Sequence, residues 1–204
     1  MLRNCFAGLL VAAALSCGPA ATAQIVTNGG FESGSFNGWT LDSSSLFACV
    51  GSSVACVGAF GLDVDPGPYS GSYAAYLGGS GGTGAGDDLL SQTVITTAGQ
   101  GYYLTFYLAA PTYQGMGVPN SFAVEWDGNV IATLTDLTNT TYQEFSFWVS
   151  GSGSDLLGFD SDNMNSAFVL DDVSVTSAPE PSALALFAVG MLGVGAAVRR
   201  RKAG

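Results

Sequence analysis

The chain has no histidine, and its five basic residues all lie at its two ends. From Gln24 to Ser177 there is no Lys and no Arg, whereas every acidic residue but Glu180 falls in that stretch. Without histidine there is no imidazole to act as a base or to ligate a transition metal. Without lysine or arginine nothing neutralises phosphate, so nucleic acid and phosphorylated ligands are repelled. Serine triads, zinc sites and phosphate-binding loops therefore lack their parts. The glycine-rich run Gly78–Gly86 is no exception, because it carries no lysine and opens no helix. Helical periodicity is also missing, and no amphipathic helix is expected before Ala183.

Carboxylates, hydroxyls, amides and aromatics remain. They suit two chemistries: binding a hard cation through oxygen, and contact with neutral sugars. The formal net charge of −11 opposes compaction. A divalent cation would relieve that repulsion, and a solvated acidic surface would need none.

The two ends carry the cations. Arg3 is followed by the apolar stretch Phe6–Leu15 and by small residues ending Ala21-Thr22-Ala23. This is the pattern of a secretory leader over residues 1–23, with a mature start near Gln24. Cys17, after Ala14-Leu15-Ser16, leaves lipidation as the alternative. At the other end Pro179-Glu180-Pro181 precedes the apolar run Ala183–Val198, which stops at Arg199-Arg200-Arg201-Lys202. A helix of that run spans roughly 24 Å, short of a bilayer core of about 30 Å, so its basic end would snorkel. Cations stay on the cytoplasmic side, which puts residues 24–177 outside. A buried helix of a soluble domain is the alternative, and four consecutive cations argue against it.

Motif, span and basic stop, over residues 178–204, resemble the PEP-CTERM sorting signal of Gram-negative bacteria. The resemblance implies cutting by an exosortase, a membrane cysteine protease. It also implies transient anchoring in the inner membrane and delivery to the cell surface or beyond.

Between the ends, about 150 residues suffice for one domain with a core. Cys49 and Cys56 are its two cysteines in an oxidising compartment. Their short spacing in a Ser/Gly-rich segment reads as a disulfide, with two free thiols as the alternative. Strand-like runs recur at Ile25–Glu32, Ser72–Leu77, Leu89–Ile95, Tyr102–Ala109, Ser121–Trp126, Val130–Leu134, Glu144–Val149, Leu156–Phe159 and Ala167–Val175. About nine antiparallel strands indicate an all-β jelly-roll sandwich, flanked by a leader helix and a transmembrane helix.

Alternation assigns the faces. Tyr102, Leu104, Phe106 and Leu108 read as core, which turns Tyr103, Thr105 and Tyr107 outward. Phe122, Val124 and Trp126 read as core, leaving Glu125 out. Phe145, Phe147 and Val149 read as core, leaving Glu144, Ser146 and Trp148 out. Outward Trp148, Tyr103 and Tyr107 beside Glu125 and Glu144 are the parts of a sugar platform, in which rings stack on pyranose and carboxylates accept its hydroxyls. Strand propensity alone also places aromatics on surfaces.

Asn28-Gly29-Gly30-Phe31-Glu32 with Gly38-Trp39, then Ser91-Gln92-Thr93-Val94 before Gly101-Tyr102, and finally Leu170-Asp171-Asp172-Val173-Ser174-Val175 look like the galactose-binding-like jelly rolls. That class includes many carbohydrate-binding modules of secreted bacterial proteins. The resemblance implies a structural Ca²⁺ tying the first strand to the last through Glu32 and Asp171, with Asp172 as substitute. An exposed Asp171-Asp172 bulge without metal is the alternative. Asp160-Ser161-Asp162-Asn163 fails the EF-hand pattern at Met164 and reads as a turn.

Three functions follow. The first is a non-catalytic exported protein that associates with extracellular polysaccharide. The second is a structural surface or biofilm protein without a glycan ligand. The third is a glycoside hydrolase using Glu125 and Glu144, which would have to face each other about 5–10 Å apart.

Overall fold

The computed structural model describes residues 25–43, 48–52, 56, 66–78, 88–112, 114–115, 119–163 and 166–178. The expected leader helix and transmembrane helix lie outside the described residues, as do Pro179, Glu180, Pro181, the span 183–198, Arg199, Arg200, Arg201 and Lys202. Among the described residues no helix is long and apolar enough to cross a membrane.

Ten strands form: β1 (Thr40–Ser43), β2 (Ala48–Gly51), β3 (Ala74–Leu77), β4 (Asp88–Ile95), β5 (Gly101–Ala109), β6 (Ser121–Trp126), β7 (Asn129–Thr135), β8 (Gln143–Ser150), β9 (Ser154–Asp162) and β10 (Phe168–Ser177). They build two five-stranded sheets, β1-β4-β9-β6-β7 and β2-β3-β10-β5-β8. Every pairing is antiparallel.

The alternation read in the sequence sets the inner faces. Tyr102, Leu104, Phe106, Leu108, Phe122, Val124, Trp126 and Val149 are buried, and Phe145 and Phe147 pack half-buried against them. Phe106 is the hub. Its ring meets Phe122 at 6.1 Å, Phe145 at 5.5 Å, Phe147 at 6.1 Å and Phe159 at 5.1 Å between centroids. Burying one such ring contributes about 1.5–3 kcal/mol.

The expected first strand, Ile25–Glu32, is not a strand. The chain turns there, with Asn28 and Phe31 at φ 53° and 56°. Its apolar residues still enter the core, where Phe31 lies fully buried 5.8 Å from Trp39. One edge of each sheet goes instead to β1 and β2. Both are short, and their pairing with β4 and β3 decides their conformation more than their own residues do.

β10 keeps its apolar side inward by changing phase. Phe168 and Leu170 face the core above the break, and Val173 and Val175 face it below. The pairing with β5 shifts register between Asp171 and Ser174, and Asp172 has φ 48°. The extra residue of this bulge restores the alternation.

Cys49 and Cys56 are disulfide-bonded, with Cα atoms 6.0 Å apart. Cys56 joins Ala74, Tyr76, Ala109, Ala167 and Val169 in a second small core. That core covers the outer face of the second sheet around β3. Over β5 and β8 the same face stays open, with Tyr103 and Trp148 exposed.

Candidate functional site

The open face is a strip of cross-strand pairs. Tyr103 stands opposite Trp148, Thr105 opposite Ser146, and Tyr107 opposite Glu144. The Thr105 and Ser146 hydroxyls are 3.1 Å apart, and the Tyr107 hydroxyl donates to Glu144 at 3.0 Å. On the other flank of β5, Thr176 pairs with Tyr103 and Ser174 with Thr105. An open depression of about 380 Å³ is lined by Thr105, Tyr107, Asp172 and Ser174. Hydrogen bonding to Tyr69 and then to Glu144 holds the Tyr107 phenol protonated, well above the ordinary range.

Trp148 is 63% exposed, yet it has a defined seat. A Cβ placed on Gly101 would stand 2.7 Å from the indole Nε1 and 3.2 Å from Cε2 and Cζ2. The indole therefore lies over the bare backbone of the neighbouring strand, with its other face toward solvent. This seat presents a flat apolar platform.

At the other end of the strip the ring that meets solvent is one the sequence does not flag. Tyr69 stacks on Tyr107 with centroids 3.7 Å apart, and Tyr142 meets Tyr69 edge-on at 5.4 Å. Tyr69 is 46% exposed and Tyr107 lies half-buried beneath it. Tyr69 belongs to the segment Pro66-Gly67-Pro68-Tyr69-Ser70-Gly71, whose turn composition says nothing of where it folds.

That segment is fastened by the carboxylates expected to bind calcium. Asp171 Oδ2 accepts the N–H groups of Tyr69 at 2.8 Å and Ser70 at 3.1 Å. Asp172 accepts the Ser70 hydroxyl at 3.0 Å. Glu32 accepts the N–H groups of Ser72 at 2.9 Å and Tyr73 at 3.1 Å. Gly71 is fixed by this clasp: its φ is +63°, and a Cβ there would run into the Glu32 carboxylate. Tyr142 closes the loop from the far side, donating to the Gly67 carbonyl at 2.7 Å.

Glu32, Asp171 and Asp172 do converge from the two ends of the domain. A Cβ on Gly30 would lie 3.0 Å from Asp172 Oδ1, 3.8 Å from Asp171 Oδ1 and 3.8 Å from Glu32 Cγ. The donors are hard oxygens, as calcium requires. They are turned toward backbone amides, and among the described residues no group of three or more such side chains is arranged to hold a metal. Asp171 is fully buried, and this burial pushes its pKa up to about 6 against the opposing hydrogen bonds of Ser70 and Asp172.

Glu125 is not part of this strip. It rises from β6 in the opposite sheet, over Gly158 of β9. Its neighbours Val124 and Trp126 point into the core, so Glu125 and Glu144 project from opposite faces of the sandwich. They cannot face each other across a cleft, and the hydrolase pair expected from the sequence is not assembled.

Residues 177–202 match the PEP-CTERM protein-sorting motif, so the chain carries that signal. No curated protein matches the sequence. Solved structures show where the fold recurs. A carbohydrate-binding module, TmCBM61, in complex with β-1,4-galactotriose is 18% identical with a TM-score of 0.53, covering 77% of this chain and 100% of its own. The CBM22-1 xylan-binding domain of Paenibacillus barcinonensis Xyn10C is 15% identical with a TM-score of 0.52, covering 80% of this chain and 99% of its own. An apo-form cyclase from Fischerella sp. is 16% identical with a TM-score of 0.56, covering 80% of this chain and 100% of its own. At these identities the likeness is one of fold: a jelly-roll sandwich of the carbohydrate-binding-module kind.

Proposed function

We propose that this is an exported, non-catalytic protein that holds a neutral extracellular polysaccharide along the strip of β5 and β8. The carrying observation is the pair of aromatic stations, Trp148 on Gly101 and Tyr69 on Tyr107, with hydroxyls between them. From Tyr103 to Tyr107 the strand advances about 13 Å, so the two stations suit separate sugars of one extended chain. The Thr105, Ser146 and Ser174 hydroxyls and the Glu144 carboxylate supply hydrogen-bond partners between them. The absence of cations from Gln24 to Ser177 disfavours an anionic polymer. The sugar-binding neighbours in the same fold support this reading, and the sorting motif supports export with exosortase processing.

Calcium is a further element of the proposal. It would bind at the junction of Glu32, Asp171 and Asp172, where it would supply charge neutralisation between the two ends of the domain.

The test is retention on a panel of neutral polysaccharides in affinity electrophoresis. Retention that falls in Trp148→Ala and in Tyr69→Ala, with an unchanged melting temperature, supports the platform. Retention by no polysaccharide would move the structural surface-protein reading ahead.

A further inference from the structure

Most of the exposed large apolar side chains among the described residues lie toward one end of the sandwich, spread over its two sheets. Ile95, Tyr103, Val130, Trp148 and Leu156 are all exposed. They lie toward the end of the sandwich where β4, β6, β8 and β10 finish and β5, β7 and β9 begin. Turns tie that end together: Gly99 N–H donates to the Gly151 carbonyl and Gly151 N–H to the Gln100 carbonyl, both at 2.8 Å. The faces differ. Tyr103 and Trp148 lie on the outside of the second sheet, while Ile95, Val130 and Leu156 belong to the first, so the apolar groups form a broken collar.

The chain leaves the fold through this collar. Ser177 pairs with Tyr102. Ala178 N–H donates to the Gly101 carbonyl at 2.8 Å, and Gln100 Nε2 donates to the Ala178 carbonyl at 3.0 Å. The last anchored residue thus sits on the glycine that carries Trp148, and Pro179 follows at once. Charge is sparse at this end. Asp155 is buried and Glu125 half-buried, which leaves Asp127 as the exposed carboxylate there among the described residues. Asp42, Asp136 and Glu144 are exposed toward the opposite end.

We propose that this collar seats the domain on the lipid–water interface of the membrane that holds its own tail, covering Trp148 and Tyr103 until the tail is cut. Reach argues for it. The spacer Pro179–Ser182 is four residues long and spans at most about 14 Å. Were the apolar run Ala183–Val198 helical, it would measure roughly 24 Å against a core of about 30 Å, and the spacer would be drawn toward the interface. Tryptophan and tyrosine favour that interface, where an amphipathic ring has one wet and one apolar side. The scarcity of exposed charge keeps the desolvation cost of contact low. The inference rests on the tail as anchor. It is independent of the glycan reading, except that lipid and sugar would hold Trp148 in succession.

The test uses the full chain reconstituted in phosphatidylcholine vesicles whose acyl chains are brominated near the headgroup. Trp39 and Trp126 are buried, so Trp148 reports. Brominated lipid should lower the emission relative to plain lipid, and that loss should vanish in Trp148→Phe. Ile95→Asp combined with Leu156→Asp, both at exposed positions, should relieve the quenching with Trp148 still in place. Equal emission in both vesicle types, quenching that persists in Trp148→Phe, or quenching untouched by the Asp pair would each overturn the proposal. Hydrogen exchange needs no variant: amides of residues 127–131 and 151–156 should exchange more slowly in the vesicle-bound chain than after proteolytic release. Unchanged rates would overturn it as well. Because no sugar is present, a negative result leaves the polysaccharide assay unaffected.

Discussion

The ring of Tyr69 lies on that of Tyr107 with planes 11° from parallel. Tyr107 rises from a strand, whereas Tyr69 is brought over it by a loop whose amides are held by Asp171. A ligand approaching this end of the strip meets Tyr69 first, and Tyr107 acts as its backing.

Removing one ring should therefore cost less than removing both. A stacked ring contributes about 0.5–1.5 kcal/mol beyond burial, a two- to tenfold effect on affinity. Tyr69→Ala uncovers the Tyr107 ring and should weaken retention less than Tyr69→Ala with Tyr107→Ala. Trp148→Ala should weaken it by a similar factor without lowering the melting temperature. Affinity electrophoresis beside thermal melts reads both quantities.

Gly101→Ala should disturb the platform without removing the indole. The new Cβ would stand 2.7 Å from Nε1, so the ring must lift. Retention should fall between wild type and Trp148→Ala, and Trp148 should become more accessible to acrylamide. Unchanged acrylamide quenching would mean that the ring does not rest on the glycine.

For calcium, a ligand that binds only the folded chain stabilises it by RT ln(1 + [L]/Kd). Millimolar Ca²⁺ should raise the melting temperature over that in EDTA, and the rise should shrink in Glu32→Ala and Asp171→Ala. Equal melting temperatures with and without calcium would leave the clasp to the backbone amides alone.

Acid should act in two stages in EDTA. Burial raises Asp171 to about 6 from an ordinary 3.8. The folded chain then binds that proton more tightly than the unfolded chain does, so stability rises as pH falls from about 6 toward 4. Discounted for solvent screening, the gain is on the order of 1–2 kcal/mol, at roughly 1.4 kcal/mol per pH unit. Asp155 behaves oppositely. Burial would raise it, but hydrogen bonds from Thr96 and Ser152 outweigh that and lower it below 3.8. Its contribution is present above 3.8 and is lost as pH falls through its folded pKa. Melting temperature against pH should show a maximum, and Asp171→Asn should flatten its neutral limb.

The disulfide closes a short loop. Chain-entropy arguments give about 2–3 kcal/mol for so small a ring. Cys56→Ser should lower stability by that order and loosen the small core around Tyr76, while the Phe106 hub keeps its packing. Denaturant titration of the variant checks the magnitude.

Much of this was legible in the residues. Alternation in Tyr102–Leu108, Phe122–Trp126 and Phe145–Val149 gave the inner faces correctly, because one buried side forces period two. The same rule turned Trp148 and Tyr103 outward, and the cysteine spacing matched a real bridge. What failed was long-range. The Ile25–Glu32 pattern looks like a strand, yet Asn28 and Phe31 take left-handed conformations that local propensity does not foresee. Tyr69 could not be read as a site residue, because the hydrogen bonds that hold its loop over Tyr107 run to Asp171 of β10, 102 residues on from Tyr69. Glu125 was rightly turned outward, but no periodicity tells which of two sheets a strand will join.

The place of β10 has a consequence for secretion. Among the described residues Phe168–Ser177 is the last strand in chain order, yet it is the middle of its sheet, between β3 and β5. Before it emerges, β2 and β3 have no partner connecting them to β5 and β8. On the proposed export route, a chain threaded outward from a leader would not close the sandwich until nearly all of it had crossed, with the sorting motif then close behind at the translocation pore. Completion of the fold and presentation of the tail to a processing protease would be one event, timed by β10, and the unfinished sheet edges would need protection until that moment.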